Sequence, residues 1–92
     1  MLVSAFVLIK VEEKDLTKIT ARLLACEGVK EVHVVAGEYD MVAVIRVSSN
    51  AKLSALLTEQ VIHTPGILST KTLISLQSKA NYDIDSVFAG AE

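Results

Sequence analysis

Two short segments gather the polar side chains that could bind something. Gly37-Glu38-Tyr39-Asp40 sets two carboxylates around a tyrosine, and Thr64-Pro65-Gly66-Ile67 is followed by hydroxyls at alternate positions, Thr70 and Thr72. Carboxylates accept hydrogen bonds from a cation and hydroxyls donate them to an anion, so the groups needed to hold a small polar molecule are present. Each segment also reads structurally. Gly37 can take a positive φ in a hairpin, Asp40 tolerates turn geometry, and Tyr39 can cap a sheet. Pro65-Gly66 stops a helix, and threonines at alternate positions of a strand share one face.

The remaining reactive types point to no chemistry of their own. His33 and His63 invite a metal or general-base reading, but they fall on different elements with no Cys, His or Asp at ligand spacing nearby. A helix C-terminus accounts for His63 and a sheet surface for His33. Cys26 is the only cysteine, which excludes an internal disulfide and fits a reducing compartment. At the end of a helix, where the dipole disfavours a thiolate, it is expected to be a small buried apolar filler. No catalytic residue, metal site or cofactor is expected.

The elements that must carry these segments follow from periodicity. Leu2 to Val11 is rich in β-branched and aromatic residues and reads as a strand ending at a charged break. Leu16, Ile19, Leu23 and Leu24 recur at helical spacing until Gly28, predicting a helix over about Lys14 to Cys26. Val29 to Val35 and Met41 to Val47 are strands joined by a hairpin-length connection, and so antiparallel neighbours. Leu53, Leu56, Leu57 and Val61 predict a second helix over about Ala51 to Ile62, with Ser48, Ser49 or Asn50 as cap. Ile67 to Leu76 is the fourth strand. This order predicts an α+β, ferredoxin-like βαββαβ sandwich of the dimeric αβ-barrel type: a four-stranded antiparallel sheet with two helices on one face. Residues 1–77 form that domain, and 78–92 a tail whose Tyr82, Ile84, Val87 and Phe88 are expected to dock on a neighbouring chain.

A sheet covered on one side should alternate apolar and polar residues. Here both parities are apolar in the first and third strands: Leu2, Phe6 and Leu8 against Val3, Ala5, Val7, Ile9 and Val11, and Met41, Ala43, Ile45 and Val47 against Val42 and Val44. Hydrophobic residues are 51% of the 92, more than a chain this short normally buries. The uncovered face amounts to roughly 440 Å². Covering it on two partners is worth roughly 20 kcal/mol, against an association cost of roughly 4–15 kcal/mol, so a dimer through the sheet is expected.

Taken together on this scaffold, Gly37, Glu38, Tyr39, Asp40, Pro65, Gly66, Ile67, Thr70 and Thr72 resemble the pattern of the RAM (effector-binding) domain of the Lrp/AsnC transcription regulator family, over about Leu2 to Leu76. The resemblance implies a non-enzymatic amino-acid-sensing and oligomerisation module, with the ligand held between dimers that associate into higher oligomers such as octamer or decamer rings. It implies Gly37, Glu38, Tyr39, Asp40, Thr70 and Thr72 as ligand-binding residues. Asp40 or Glu38 would accept from the ammonium, and Thr70, Thr72 and the loop amides would donate to the carboxylate. Full-length members carry a helix-turn-helix domain. This chain begins directly at the first strand, so it looks like a stand-alone RAM domain that acts through full-length Lrp/AsnC regulators or in amino-acid metabolism.

Charge and composition narrow the alternatives. Nine Lys and Arg against eleven Asp and Glu, with no basic run, give no nucleic-acid footprint. The longest apolar runs, of which Ala5 to Ile9 is one, are too short to span a membrane or form a signal-peptide core, so a cytoplasmic location is expected. The competing class is a small dimeric αβ-barrel enzyme, such as a cofactor-free monooxygenase. It would need a roomy cavity between sheet and helices lined by His, Asn or Trp, where this chain supplies Leu, Ile and Val and has no Trp.

Overall fold

A computed structural model of the chain describes residues 2–12 and 15–81. The tail residues Tyr82, Ile84, Val87 and Phe88, and the predicted helix start at Lys14, lie outside the described residues. The order is β1 (Val3–Val11), α1 (Leu16–Leu24), β2 (Val29–Val34), β3 (Met41–Val47), α2 (Asn50–Leu56) continued by a π-turn (Leu57–Val61), and β4 (Ile67–Ile74). The sheet runs β2-β3-β1-β4 with every pair antiparallel. This is the predicted ferredoxin-like arrangement.

Local chemistry accounts for the boundaries. The Asp15 carboxylate accepts from the Lys18 N–H at 3.1 Å and so caps α1 rather than sitting within its first turn. The Ser49 hydroxyl accepts from the Lys52 N–H at 3.1 Å and opens α2. The predicted second helix widens at its end, where Ile62 N–H reaches back to Leu57 O at 3.1 Å. Thr58 and Thr64 donate their hydroxyls to the carbonyls of Ser54 and Gln60, a competition with the backbone ladder that loosens a helix. The slower turn per residue keeps Val61 in line with Leu57 and fully buried, while Gln60 stays exposed.

The helices cover the odd-numbered face. Ala5, Val7, Ile9, Met41, Ala43 and Ile45 are 0% exposed beneath Ile19, Leu23 and Val61. Each large side chain so buried contributes about 1.5–3 kcal/mol. The even face stays open, with Phe6, Leu8, Val42 and Val44 only half buried or exposed across the two central strands. It is less uniformly apolar than the sequence suggests. Register puts Glu31 and His33 of β2 on this face beside Val44 and Val42, and Ser69 and Lys71 of β4 beside Lys10 and Leu8. The outer strands thus bring polar side chains to this face, so the apolar patch is a central stripe, extended by Leu73 beside Phe6.

Candidate functional site

Both sequence segments converge on the C-terminal end of β1. On one side, the Asp40 N–H donates to Ile9 O at 2.9 Å, and the Asp40 Oδ2 accepts from the Val11 N–H at 2.9 Å. The Val35 N–H closes the hairpin onto Asp40 O at 3.0 Å. On the other side, Glu12 N–H donates to Gly66 O at 3.0 Å. The β1–β3 ladder ends at the Ile9–Met41 pair, where β3 begins, so Val11 on the same side of β1 has no β3 residue opposite it. Its N–H, which must be paired somewhere, goes to the side chain of Asp40.

Asp40 is therefore a latch as well as a candidate ligand group. It does not stand free in the turn: Asp40 is half buried and bonded to β1. Its Oδ1 accepts from none of the described residues. Tyr39 is half buried, and the Lys10 ammonium stands 5.6 Å from its ring centroid, a cation–π contact. Glu38 is exposed. Gly37 has φ 140° with nothing near its missing Cβ, so the backbone alone requires glycine there.

The second segment forms a turn with Pro65 and Gly66 at its centre, Gly66 at φ 97°, and Ile67 N–H donating to Thr64 O at 3.2 Å. That is the arrangement of a type II turn. The Arg22 guanidinium donates through Nη1 to Pro65 O at 3.0 Å and ties α1 to this turn. Thr70 and Thr72 lie opposite Ile9 and Val7 in register, so both face the helix side of the edge strand, half buried.

The structure thus brings Gly37, Glu38, Tyr39 and Asp40 to one flank of β1 and Thr70 and Thr72 to the other. Two strand spacings, about 10 Å, separate the flanks. Tyr39 associates with Lys10 of the open face, whereas the threonines belong to the helix side. Among the described residues no hydrogen bond or ion pair joins the two groups. Sequence reasoning missed Val11, Lys10 and Arg22 because their roles depend on long-range contacts. The one local signal was Lys10, a charge inside an otherwise apolar strand.

The other reactive residues stay apart. His33 Nε2 meets Glu31 Oε1 at 3.2 Å on the open face, and His63 is exposed at the end of the second helix. Among the described residues no three His, Cys, Asp or Glu side chains come together to hold a metal ion. The Cys26 thiol donates to Arg22 O at 3.5 Å, and partial burial pushes its pKa up from the ordinary value, away from the reactive thiolate. No described helix is long and apolar enough to cross a membrane.

This architecture has known counterparts. The chain is 34% identical over 74 residues to the HTH-type transcriptional regulator FL11 of Pyrococcus abyssi, a match covering 80% of this chain and 48% of the regulator. The chain thus spans about half the length of the curated relatives it matches. Among solved structures, the hypothetical protein PHS023 from Pyrococcus horikoshii superposes with a TM-score of 0.76 at 32% identity, covering 83% of this chain and 92% of that one. A feast or famine regulatory protein from M. tuberculosis, solved in complex with L-methionine, superposes with a TM-score of 0.72 at 31% identity, covering 86% of this chain and 53% of that one. The sequence profile of the Lrp/AsnC ligand binding domain matches residues 4–83. The chain belongs to the Lrp/AsnC ligand-binding-domain family.

Proposed function

We propose that this chain is a non-enzymatic amino-acid-sensing and oligomerisation module. The observation that carries the reading is the convergence of both motif segments on one end of β1, through Asp40 N–H to Ile9 O and Glu12 N–H to Gly66 O. One flank offers Asp40 Oδ1 for an ammonium, and the other offers the Thr70 and Thr72 hydroxyls for a carboxylate. The flanks stand farther apart than the ammonium and carboxylate of one amino acid. A second copy that brings its own flank alongside completes the site, so ligand binding and assembly become one equilibrium.

The open apolar stripe of Phe6, Leu8, Val42 and Val44 supplies the first contact, a dimer through the sheet. Dimers then share ligand sites in a higher oligomer, an octamer or decamer ring. The relative bound to L-methionine supports an amino acid as the effector class. Relatives named as transcriptional regulators support action through Lrp/AsnC proteins that contact DNA, in the cytoplasm, with no direct nucleic-acid binding by this chain. The burial of Ile9, Met41, Ile45, Ile19, Leu23 and Val61 between sheet and helices supports this reading over the enzyme alternative, which needs a roomy cavity there.

The test is a thermal-shift and calorimetric screen of the common amino acids, run with mass measurement and repeated on two Asp40 variants. Asp40→Asn keeps an oxygen for the Val11 N–H and removes the charge. It should fold normally and lose roughly 2–5 kcal/mol of affinity, a weakening of about 30-fold to several thousand-fold. A hit that binds Asp40→Asn as tightly as the parent removes Asp40 from the site. A chain that answers no amino acid in affinity or mass overturns the sensing role.

A further inference from the structure

At the end of the sheet opposite the Asp40 loop lies an open cleft of about 860 Å³, and we propose that it binds a small organic anion with two or more negatively charged oxygens. The cleft forms where the start of β1, the turn before β2, the end of β3 and the outer side of the second helix meet. Its polar wall brings Lys30, Arg46 and Lys52 together from three different elements. These are three of the nine basic residues of a chain whose net charge is -2.

Among the described residues, none of the three cationic groups makes an ion pair or donates a side-chain hydrogen bond. Two carboxylates border the same cleft without pairing with them: Glu27, and Glu31, whose Oε1 is turned to His33 Nε2 at 3.2 Å. Three cationic residues on the wall of one cleft favour a multiply charged anion, which accepts their hydrogen bonds. The planar fork of Arg46 suits two oxygens of one phosphoryl or carboxylate group, while the two lysines act as point charges. The Ser48 hydroxyl and Gln60 amide, also on the wall, add neutral donors.

The cleft has a built floor. A Cβ on Gly28, which holds φ 103°, would come within 2.8 Å of Val47 Cγ1 and 3.2 Å of Leu56 Cδ2. Glycine therefore lets the turn lie flat against β3 and the helix, and its carbonyl accepts from the Arg46 N–H at 2.9 Å, which fixes the backbone of Arg46. Val47 and Leu56 supply an apolar surface for the carbon skeleton of the ligand. The volume lies within the usual range of small-molecule sites. The π-turn contributes too, since it leaves Gln60 outward while Val61 goes to the core.

The experiment is an amide-resolved NMR titration of the full chain with pyrophosphate and with citrate, at matched ionic strength, beside a zwitterionic amino acid as control. Saturable shifts at the Gly28, Ser48 and Gln60 amides with either probe, and not with the zwitterion, are expected. A response to pyrophosphate alone assigns a phosphorylated ligand, and a response to citrate alone assigns a polycarboxylate. Arg46→Gln, and separately the exposed helix substitution Lys52→Gln, should each weaken the response about tenfold. Asp40→Asn should leave it unchanged, which separates this cleft from the amino-acid site. Neither probe shifting these amides, or both variants titrating like the parent, overturns the proposal.

Discussion

The two faces of this sheet are built from the same strands and the same kinds of residue, yet they do opposite work. The odd face is closed: Val7, Ile9, Met41 and Ile45 are 0% exposed because two helices lie on them. The even face carries Phe6, Leu8, Val42 and Val44 with no cover from the other described residues, and Phe6 is 41% exposed. One face holds the monomer together, and in the function proposed above the other meets a second copy. The difference shows that an apolar strand residue does not announce its role by its type. Its parity relative to the helices does that.

The comparison breaks most sharply in the core. Ile45→Ala on the closed face should lower unfolding free energy by about 2–5 kcal/mol in a denaturant melt, because it leaves a cavity that rigid neighbours cannot fill. Phe6→Asp on the open face should do the reverse of what a core change does. Circular dichroism should keep its native form while sedimentation shows the mass falling to that of a single chain, since a charge at the centre of the stripe opposes association but need not disturb the monomer. If Phe6→Asp unfolds the chain, or leaves its mass unchanged, the division of labour between the faces is wrong.

At the end of β1, where the two faces meet the loop of Gly37 to Asp40, Asp40→Ala should cost about 1–3 kcal/mol of stability by stripping the Val11 N–H of its acceptor, and Asp40→Asn should restore most of it. Gly37→Ala belongs to the same loop and has free space around the added methyl group. Its cost, about 1 kcal/mol or somewhat more, should therefore come from φ 140° alone. A neutral result in a thermal melt would mean that the loop relaxes and is held by Asp40 only.

The smallest effect concerns Cys26. Its pKa is raised in the folded state, so folding favours the neutral thiol. The associated stability is present below the unfolded pKa and lost as pH rises through the higher folded value. Iodoacetamide should accordingly label the folded chain more slowly than the unfolded one at neutral pH, with its onset moved to higher pH. Equal rates would mark the thiol as exposed.

What the sequence by itself determined was whatever depends on near neighbours. Period-two runs give the strands, the Leu and Ile spacings give the helices, and Asp15 and Ser49 cap them through their own first turns. Pro65-Gly66 and Gly37 mark their turns. The family pattern was legible for the same reason, since Gly37 to Asp40 and Pro65 to Thr72 are each continuous in the chain. Only the tertiary structure decided which parity the helices would cover, because both parities of β1 and β3 are apolar and strand periodicity cannot choose between them. It also decided that Asp40 would serve Val11, that the motif halves would sit on opposite flanks of β1, and that Lys30, Arg46 and Lys52 would share one cleft. These depend on where one strand ends beside another, a strand order and the meeting of elements distant in sequence, where the free energy comes from long-range burial and pairing rather than from the local preferences of any segment.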